Sequence, residues 1–515
     1  MKKPILILLI FALIGGFVLT HGTSPVMAAG QSNKYGGVLK YNMDKVAGVI
    51  GDPLLIRAWN HEYIDFMLET LVNPSNDKLG TFEPALATSW TLAPDRSHYT
   101  FNLRKGVKFS DGTDWNAQAA KWNIERWLKS KRPKFDRLKS IEVVDDHTLK
   151  CNLSGWDAVT MFDFGKDSYH ISPAAFEKNG QEWAKFNPIG TGPFKLVDYK
   201  RNDRVVYDKV KDYWEKGLPY LDGIHITQIQ DPMTAIASLK RGEIDGWMGI
   251  DSVSGAELKA TGDYILDTNP GPHQLISFNS KDSNSIWSNK KMRMALEYAI
   301  DKVPLTKATG RGFTYPVYEI VHSIPAKAGT VPRKHDPEKA KQLIKEAGFS
   351  EGVKVKLTYQ AGPRFKDVIV ALQADFADVG IKAELNPLAG AAFNQRILEM
   401  PPPNELVLEG QRGGPNELLY SVDETLAPGS VFMPGIKRPA GFNDFLKKAL
   451  ETDKLNVSMD NLYQMEKLAY NDAMFVPIYG QLFIAVHYPH VKDAVWFWGS
   501  MPYPDFTNCW LDRKK

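Results

Sequence analysis

The sequence predicts an α/β protein that contains more than one compact unit. Its 515 residues exceed the size at which a single hydrophobic core stops growing, so two or three units are expected. Aromatic residues make up 11% of the chain, which is typical of a globular protein with large buried side chains. A strand at 353–359, an amphipathic helix at 365–379 and a strand at 381–385 follow one another, and this order predicts a partly parallel sheet.

The first 28 residues have the pattern of an export signal. Lys2 and Lys3 precede an apolar run over 5–19, and small residues up to Ala28 form a cleavage site. A retained membrane anchor is the alternative, but the run is about 15 residues long where a membrane span needs about 20. No cysteine precedes Cys151, so no lipid anchor is predicted, and the mature protein is expected in a Gram-negative periplasm.

The charge balance gives no indication of nucleic-acid binding. The formal net charge is +3, and removal of Lys2 and Lys3 with the signal leaves about +1. No later stretch approaches 18 continuous apolar residues, the length that indicates a membrane helix. Any membrane partner is therefore expected to be another protein.

Short strands alternate with helices through the first half of the chain. Alternating side chains predict a strand at 37–41, and apolar residues at helical spacing predict a helix over 59–71. The same patterns, with turn residues between them, predict a strand pair between 82 and 109, strands at 148–153, 194–199, 204–207 and 224–229, and helices at 116–128 and 234–240.

The second half follows a similar order. Asn269-Pro270-Gly271-Pro272 predicts a break before a strand at 275–279. Helices are predicted at 291–300 and at 337–347, the second with Asp336 as its N-cap and Gly348 as its C-cap. The remaining predicted elements are strands at 406–408, 476–479 and 482–486 and helices at 442–452 and 462–471.

No catalytic motif is complete, and no catalytic residue or cofactor is predicted. His61-Glu62 begins like the helix of a zinc protease, but residue 65 is Asp rather than His, which favours a solvated helix start. The segment 190–192, Gly-Thr-Gly, lacks the lysine of a phosphate-binding loop and predicts a chain crossover. No G-x-S-x-G motif of a hydrolase occurs.

Cysteine and histidine usage gives no indication of a metal site. Cys151 and Cys509 are too few for a four-cysteine zinc site, and they form either one disulfide or two buried free thiols. Of the 11 histidines only His487 and His490 lie close together in sequence, which is weak evidence for metal binding. No metal is predicted.

Motifs along the chain carry a family resemblance. The most specific are PALATSW at 84–90 and GVKFSDGT at 106–113, followed by NPIGTGPF at 187–194, GEID at 242–245 and MRMAL at 292–296. They resemble the peptide and nickel family of periplasmic binding proteins, the extracellular solute-binding family 5 of ABC importers. The resemblance extends over nearly all of the mature chain.

The resemblance implies a two-lobe periplasmic binding protein fold, class II-like, with a hinge and an extra α+β domain inserted in lobe one. By position, 1–28 is the signal peptide. Lobe one is then assigned to 30–76, 190–272 and 486–515, the inserted domain to 77–189, and lobe two to 273–485.

The implied function is that of a soluble binding component of an ABC importer. It captures a peptide-like or other small polar solute between the lobes and delivers it to the permease, as a monomer without nucleic acid. An exported α/β hydrolase, or a sensory or chaperone protein on the same scaffold, is the alternative.

The resemblance also places the ligand-binding residues. In this family the cleft is lined by the loop before the first helix, the strand after the second crossover and a loop in lobe two. Those positions give Arg57, Trp59, Gln274, Gln411 and Arg412 as ligand-binding candidates, and Gln481 is added by position.

The lobe-two loop at 410–415 bears on the chemical class of the ligand. Peptide-binding members typically carry a Trp and an Asp there, and this chain has neither. A cationic amine beside Arg412 would add repulsion to desolvation, so a carboxylate or a neutral polar ligand is predicted, with Arg57 as a second donor and Trp59 as an aromatic platform. The alternative is that Arg412 is solvated or paired with Glu409 or Glu417.

Overall fold

A mixed sheet of eleven strands organises the part of the chain that the structure describes. The computed structural model describes residues 34–43, 45–56, 61–75, 78–130, 137–321, 331–411, 417–497 and 503–513. The strands are β1 Val38–Met43, β2 Val72–Pro74, β3 Phe82–Pro84, β4 Ala87–Leu92, β5 His98–Leu103, β6 Leu138–Asp145, β7 Thr148–Leu153, β8 Phe194–Lys200, β9 Arg204–Lys209, β10 Gly223–Gln228, β11 Gly246–Met248, β12 Ile265–Phe278, β13 Thr314–Pro316, β14 Val353–Gln360, β15 Ile381–Leu388, β16 Glu405–Gln411, β17 Val476–His487, β18 Val491–Lys492 and β19 Trp510–Leu511.

Helices lie between the strands, as the sequence predicts for an α/β chain. They are α1 Ala117–Lys129, α2 Thr160–Phe162, α3 Pro173–Ala184, α4 Pro232–Lys240, α5 Ser252–Thr261, α6 Lys290–Ala299, α7 Lys302–Gly310, α8 Pro337–Glu346, α9 Pro363–Asp378, α10 Gly390–Arg396, α11 Leu418–Leu426, α12 Phe442–Leu450 and α13 Leu455–Asp472. None of the helices in the described ranges is long and apolar enough to cross a bilayer.

The order of strands in the large sheet is β15-β14-β16-β12-β17-β11-β1-β10-β9-β8, and β13 pairs with β17. β14 runs parallel to β15 and β16, and β1 runs parallel to β10 and β11. Helix α9 connects β14 to β15, which confirms the parallel strand-helix-strand unit predicted for 353–385.

Two long strands, β12 and β17, join the two halves of this sheet. Residues 265–270 of β12 pair with 482–487 of β17, and residues 273–276 pair with 476–480. The end of β17 pairs with β11, whereas the end of β12 pairs with β16. Both strands therefore continue from one group of strands into the other.

The predicted break at 269–272 is wrong, because β12 runs through it. The register of β12 shifts between Pro270 and His273, and such an irregularity accommodates residues that have no N–H to donate to a ladder. The strands predicted at 476–479 and 482–486 are likewise one continuous strand, β17.

The helix predicted over 59–71 is also wrong where the structure describes it. One 3₁₀ turn spans His61–Tyr63, and turns follow. The carbonyls of Phe66 and Met67 accept hydrogen bonds from the amides of Phe194 and Gly192, at 3.0 and 2.9 Å. From Phe66 onward, pairing with a distant segment takes the carbonyls that would continue a helix, although the apolar side chains are buried as their spacing indicates.

His61 and Glu62 do not form a solvated helix start. Their exposed fractions are 3% and 1%, so the sequence interpretation is corrected. The ring of His61 stacks on Tyr503 and contacts Tyr169 edge to face, at centroid distances of 5.7 and 5.3 Å. These aromatic contacts bury a segment whose polar residues suggested a surface position.

Several predictions from local signals are confirmed. The helix predicted at 116–128 is present as α1, and the side chain of Asn116 accepts hydrogen bonds from the amides of Gln118 and Ala119 at its start. Asp336 caps α8 by accepting from the amide of Lys339 at 2.9 Å. Strand β7 has the predicted bounds.

Buried apolar side chains of the described residues group into separate cores. One core includes Leu296, Leu357 and Leu408, and another is built around Tyr41 and Tyr207. A third lies between helix α1 and the four-stranded sheet β4-β5-β7-β6, and a smaller one surrounds Trp247. The boundaries assigned to the lobes and the inserted domain stay predictions.

The two cysteines are both free and buried. Cys151 belongs to the core beside α1, and Cys509 belongs to the core around Tyr41. Of the two alternatives left open by the sequence, the structure shows two buried thiols.

Candidate functional site

Three of the six predicted ligand-binding residues lie within the described ranges. Gln274, Gln411 and Gln481 occupy the neighbouring strands β12, β16 and β17, and their exposed fractions are 4%, 2% and 7%. Arg57, Trp59 and Arg412 lie outside the described residues. The three glutamines thus lie on three adjacent strands of the large sheet.

The strand register divides these glutamines between the two faces of the sheet. Gln274 lies opposite Gly410 and Tyr479, whereas Gln411 lies opposite His273. Directly opposed residues share a face and successive residues alternate. Gln274 and Gln481 therefore project to one face, and Gln411 projects to the other.

The side chain of Gln274 covers Gly410. A β-carbon at residue 410 would lie 3.1 Å from Nε2 of Gln274, which is tighter than an ordinary contact. The glycine that begins the predicted lobe-two loop thus leaves space for the amide group of Gln274. The two predicted ligand segments are packed together at this point.

His273 and Tyr315 form a polar contact on the opposite face, and sequence reasoning missed both. Nε2 of His273 lies 3.3 Å from the hydroxyl of Tyr315, and their rings are nearly perpendicular at 82°. The ring of Tyr315 lies directly over Gly480. No motif pointed to this pair, because residues 42 positions apart meet only through the pairing of β13 with β17.

Glu409 and Glu417, the alternative partners of Arg412, both have partners among the described residues. Oε1 of Glu409 accepts a hydrogen bond from the hydroxyl of Ser277. Burial raises the pKa of Glu409 to about 7, although Ser277 and Arg396 oppose this shift. The carboxylate of Glu417 lies 2.6 Å from Nζ of Lys166.

A cavity of about 220 Å³ lies between residues 65–73, 165–169, 213–215 and 503–508. Its wall includes Glu69, which accepts hydrogen bonds from the hydroxyl of Tyr213 at 2.8 Å and from Nε1 of Trp214 at 3.0 Å. Burial raises the pKa of Glu69 to about 7, and these hydrogen bonds act against the rise. The cavity has carboxyl and aromatic walls that sequence reasoning did not assign to a site.

Within the described ranges, no group of three or more His, Cys, Asp or Glu side chains is placed to hold a metal ion. Nε2 of His487 lies 3.0 Å from Asp267, and Nε2 of His490 lies 2.9 Å from Asp245. Asp245 also accepts from Arg513 at 2.6 Å. The histidine pair is thus divided between two separate carboxylates.

The two strand groups, the continuous strands that join them and the separate cores form a two-lobe α/β fold. Residues 81–401 match the model of the bacterial extracellular solute-binding proteins, family 5. The chain belongs to this family. It is therefore a solute-binding protein of the kind that serves ABC importers.

Individual relatives differ in what they bind. The chain is 30% identical over 451 residues to the glutathione-binding protein GsiB of Shigella boydii serotype 4. The match covers 84% of this chain and 86% of that protein. It is 29% identical over 455 residues to heme-binding protein A of Haemophilus influenzae, covering 80% and 81%.

The solved structures confirm the fold. The periplasmic binding protein DppA of Helicobacter pylori, an ABC transporter-associated protein in complex with the peptide STSA, matches with a TM-score of 0.79 and 24% identity. The match covers 93% of this chain and 99% of that one.

Proposed function

We propose that this protein captures a peptide-like or other small polar solute between its two lobes and delivers it to the permease of an ABC importer. The observation that carries the proposal is the pair of strands β12 and β17, which run without interruption from one strand group into the other. The register shift between Pro270 and His273 gives this connection a point at which the backbone departs from regular pairing.

The proposed cycle requires no covalent chemistry and no cofactor. A solute binds the open form, contacts from both lobes favour closure, and the permease recognises the closed shape. Closure follows only if the solute binds the closed state more tightly than the open state. Solute contacts on one lobe alone would leave the equilibrium between the two forms unchanged.

The solute is proposed to contact Arg57, Trp59, Gln274, Arg412 and Gln481. Gln411, the sixth candidate, projects to the other face of the sheet and is left out of the proposed contact set. Residues 410–415 contain no acidic side chain that would hold a ligand's amino group, and they include one arginine. A guanidinium binds a carboxylate through two parallel hydrogen bonds. A solute with a carboxylate, or a neutral polar solute, is therefore favoured over one that binds through its free amine.

The proposal includes export to the periplasm through a cleaved signal at residues 1–28, without a lipid anchor. It also includes a monomeric protein that releases its solute unchanged. Membership of an extracellular family supports export. The binding proteins among the relatives support the absence of turnover.

The function is tested on the mature chain by mass spectrometry of co-purified small molecules, followed by calorimetry with the recovered compound, glutathione and the peptide STSA. One solute per chain, recovered chemically intact after prolonged incubation, is expected. Conversion of the compound into product would indicate a hydrolase. Absence of binding to all three compounds would contradict solute capture.

A further inference from the structure

Helix α11 begins directly after the predicted ligand loop and presents one side to the predicted inserted domain. Glu417 is its N-cap residue, and Glu417, Tyr420 and Asp423 follow one another at intervals of three residues. Residues three apart lie on the same side of a helix. All three contact residues between Arg137 and Lys166.

The first contact lies where the helix begins. Nζ of Lys166 lies 2.6 Å from the Glu417 carboxylate, and the side chains are 10% and 4% exposed. The same ammonium group lies 4.8 Å from the ring centroid of Tyr420. The ring of Tyr420 in turn packs against Phe162 at 5.1 Å between centroids.

The second ionic contact lies two turns further along the helix. One guanidinium, that of Arg137, contacts Asp423 of α11 at 2.9 Å and Asp157 at 2.5 Å. The side chains of Arg137, Asp423 and Asp157 are 18%, 21% and 15% exposed. The arginine therefore joins a carboxylate on each side of the contact surface.

Two further bonds extend this surface beyond α11. The amide of Ala158 donates a hydrogen bond of 2.7 Å to the carbonyl of Leu450, at the end of α12. Arg96 contacts Asp453 at 3.3 Å. Phe162 also belongs to the core that contains Leu296 and Leu408, so apolar packing accompanies the polar bonds.

The ionic contacts of this surface lower the cost of separation, whereas the burial of Phe162 opposes it. Charged partners recover hydration when they part, which offsets much of the attraction that is lost. The geometry of a shared guanidinium nevertheless fixes the orientation of α11 while the contact lasts. The N-cap residue of the helix, Glu417, follows the predicted ligand loop at 410–415 closely in sequence.

We propose that α11 is a docking helix that holds lobe two against the inserted domain, and that the pairs Lys166–Glu417 and Arg137–Asp423 control how readily the two separate. If separation of lobe two from the inserted domain accompanies solute release, these ion pairs also affect release, and that part of the proposal rests on the proposed function. The docking contact is formed by side chains of this chain alone and does not depend on the proposed function.

The test is hydrogen exchange, followed by mass spectrometry, on mature protein without added solute. The variant Glu417→Gln/Asp423→Asn preserves the shape of both side chains and removes two charges. Glu351→Gln/Asp444→Asn is the matched control, since residues 351 and 444 are exposed. The peptide containing Ala158 reports on docking, because the amide of Ala158 bonds across the surface.

Exchange in the Ala158 peptide is expected to rise about tenfold in the first variant, the effect of weakening two partly buried ion pairs, and to stay unchanged in the control. Equal exchange in the two variants and the wild type would overturn the proposal. If Glu417→Gln/Asp423→Asn does not fold, Asp423→Asn alone is measured instead. Exchange in the Ala158 peptide is then expected to rise, but by less than tenfold. Unchanged exchange in Asp423→Asn would also overturn the proposal.

This result is distinguishable from failure of the proposed function. If exchange is faster in Glu417→Gln/Asp423→Asn but the wild type binds no solute in calorimetry, the docking helix is supported and solute capture is contradicted. Normal solute binding with unchanged exchange would support capture and overturn the docking helix.

Discussion

The amide of Gly192 donates a hydrogen bond of 2.9 Å to the carbonyl of Met67, and the two backbones are in direct contact. A β-carbon at residue 192 would lie 2.7 Å from the carbonyl carbon of Met67, closer than side-chain atoms approach. Only glycine fits this crossover between two distant segments. The contact explains the Gly-Thr-Gly sequence without a phosphate ligand.

We predict that Gly192→Ala lowers the free energy of unfolding by about 2–4 kcal/mol, because the Met67 backbone must shift to make room for a methyl group. Urea unfolding measures this change. Gly155→Ala is the control, since Gly155 has open space around its α-carbon and its φ lies outside the left-handed region. Comparable stability of the two variants would contradict the packing argument.

Glu409 makes the stability of the protein depend on pH. Burial raises the pKa of this carboxyl from 4.5 to about 7. Between these pH values the folded chain binds more protons than the unfolded chain, so the free energy of unfolding falls as pH rises. Glu409→Gln is expected to remove up to about 3 kcal/mol of this decline while retaining an acceptor for Ser277.

Urea unfolding at pH 5 and pH 8 measures the effect of Glu409→Gln. Glu69, whose pKa is also raised to about 7, still contributes its own decline, so the variant keeps part of the dependence. Glu351→Gln removes an exposed carboxyl instead and is expected to leave the dependence unchanged. The same pH dependence in Glu409→Gln and the wild type would show that Glu409 ionises normally.

Both thiols are expected to be unreactive in the folded protein. Burial raises the pKa of Cys151 and of Cys509, and a thiol that is neither ionised nor accessible reacts slowly. A colorimetric thiol reagent should therefore detect no thiol in the native state and two in denaturant without a reductant. Finding no thiol in denaturant would indicate a disulfide between them.

Arg412→Ala is expected to weaken binding of the co-purified solute by tenfold or more, because a charge-assisted contact to a carboxylate is lost. Isothermal calorimetry of the mature protein measures the dissociation constant. Lys211→Ala removes an exposed positive charge and serves as the control. An unchanged constant in Arg412→Ala, or a strong preference for peptides with free amino termini, would contradict the predicted role of Arg412.

Local signals in the sequence predicted the elements that local forces determine. The alternation over β7 and the cap Asp336 depend on neighbouring residues, and each is found as predicted. The segment after His61 failed because its backbone bonds to residues 192 and 194. The strand through Pro270 failed because a register shift accommodates proline where a local rule predicts a break.

The candidate site also combines residues that the sequence identifies with an arrangement that only the folded chain shows. The family resemblance selected Gln274 and Gln411, and Gln481 was added by position. The structure places all three on adjoining strands, and only the pairing register shows that Gln411 faces the other side. The ion pair between Arg137 and Asp423 joins residues 286 positions apart, and no periodicity or motif encodes such a distance. Contacts of this kind depend on the completed fold.

The most direct test of solute capture is X-ray scattering from the mature protein with and without the compound recovered by mass spectrometry. Closure of two lobes around a bound solute predicts a smaller radius of gyration at saturation, and a return to the original value after dialysis. An identical radius of gyration in both states, with saturation verified by calorimetry, would contradict the hinge and with it the central claim.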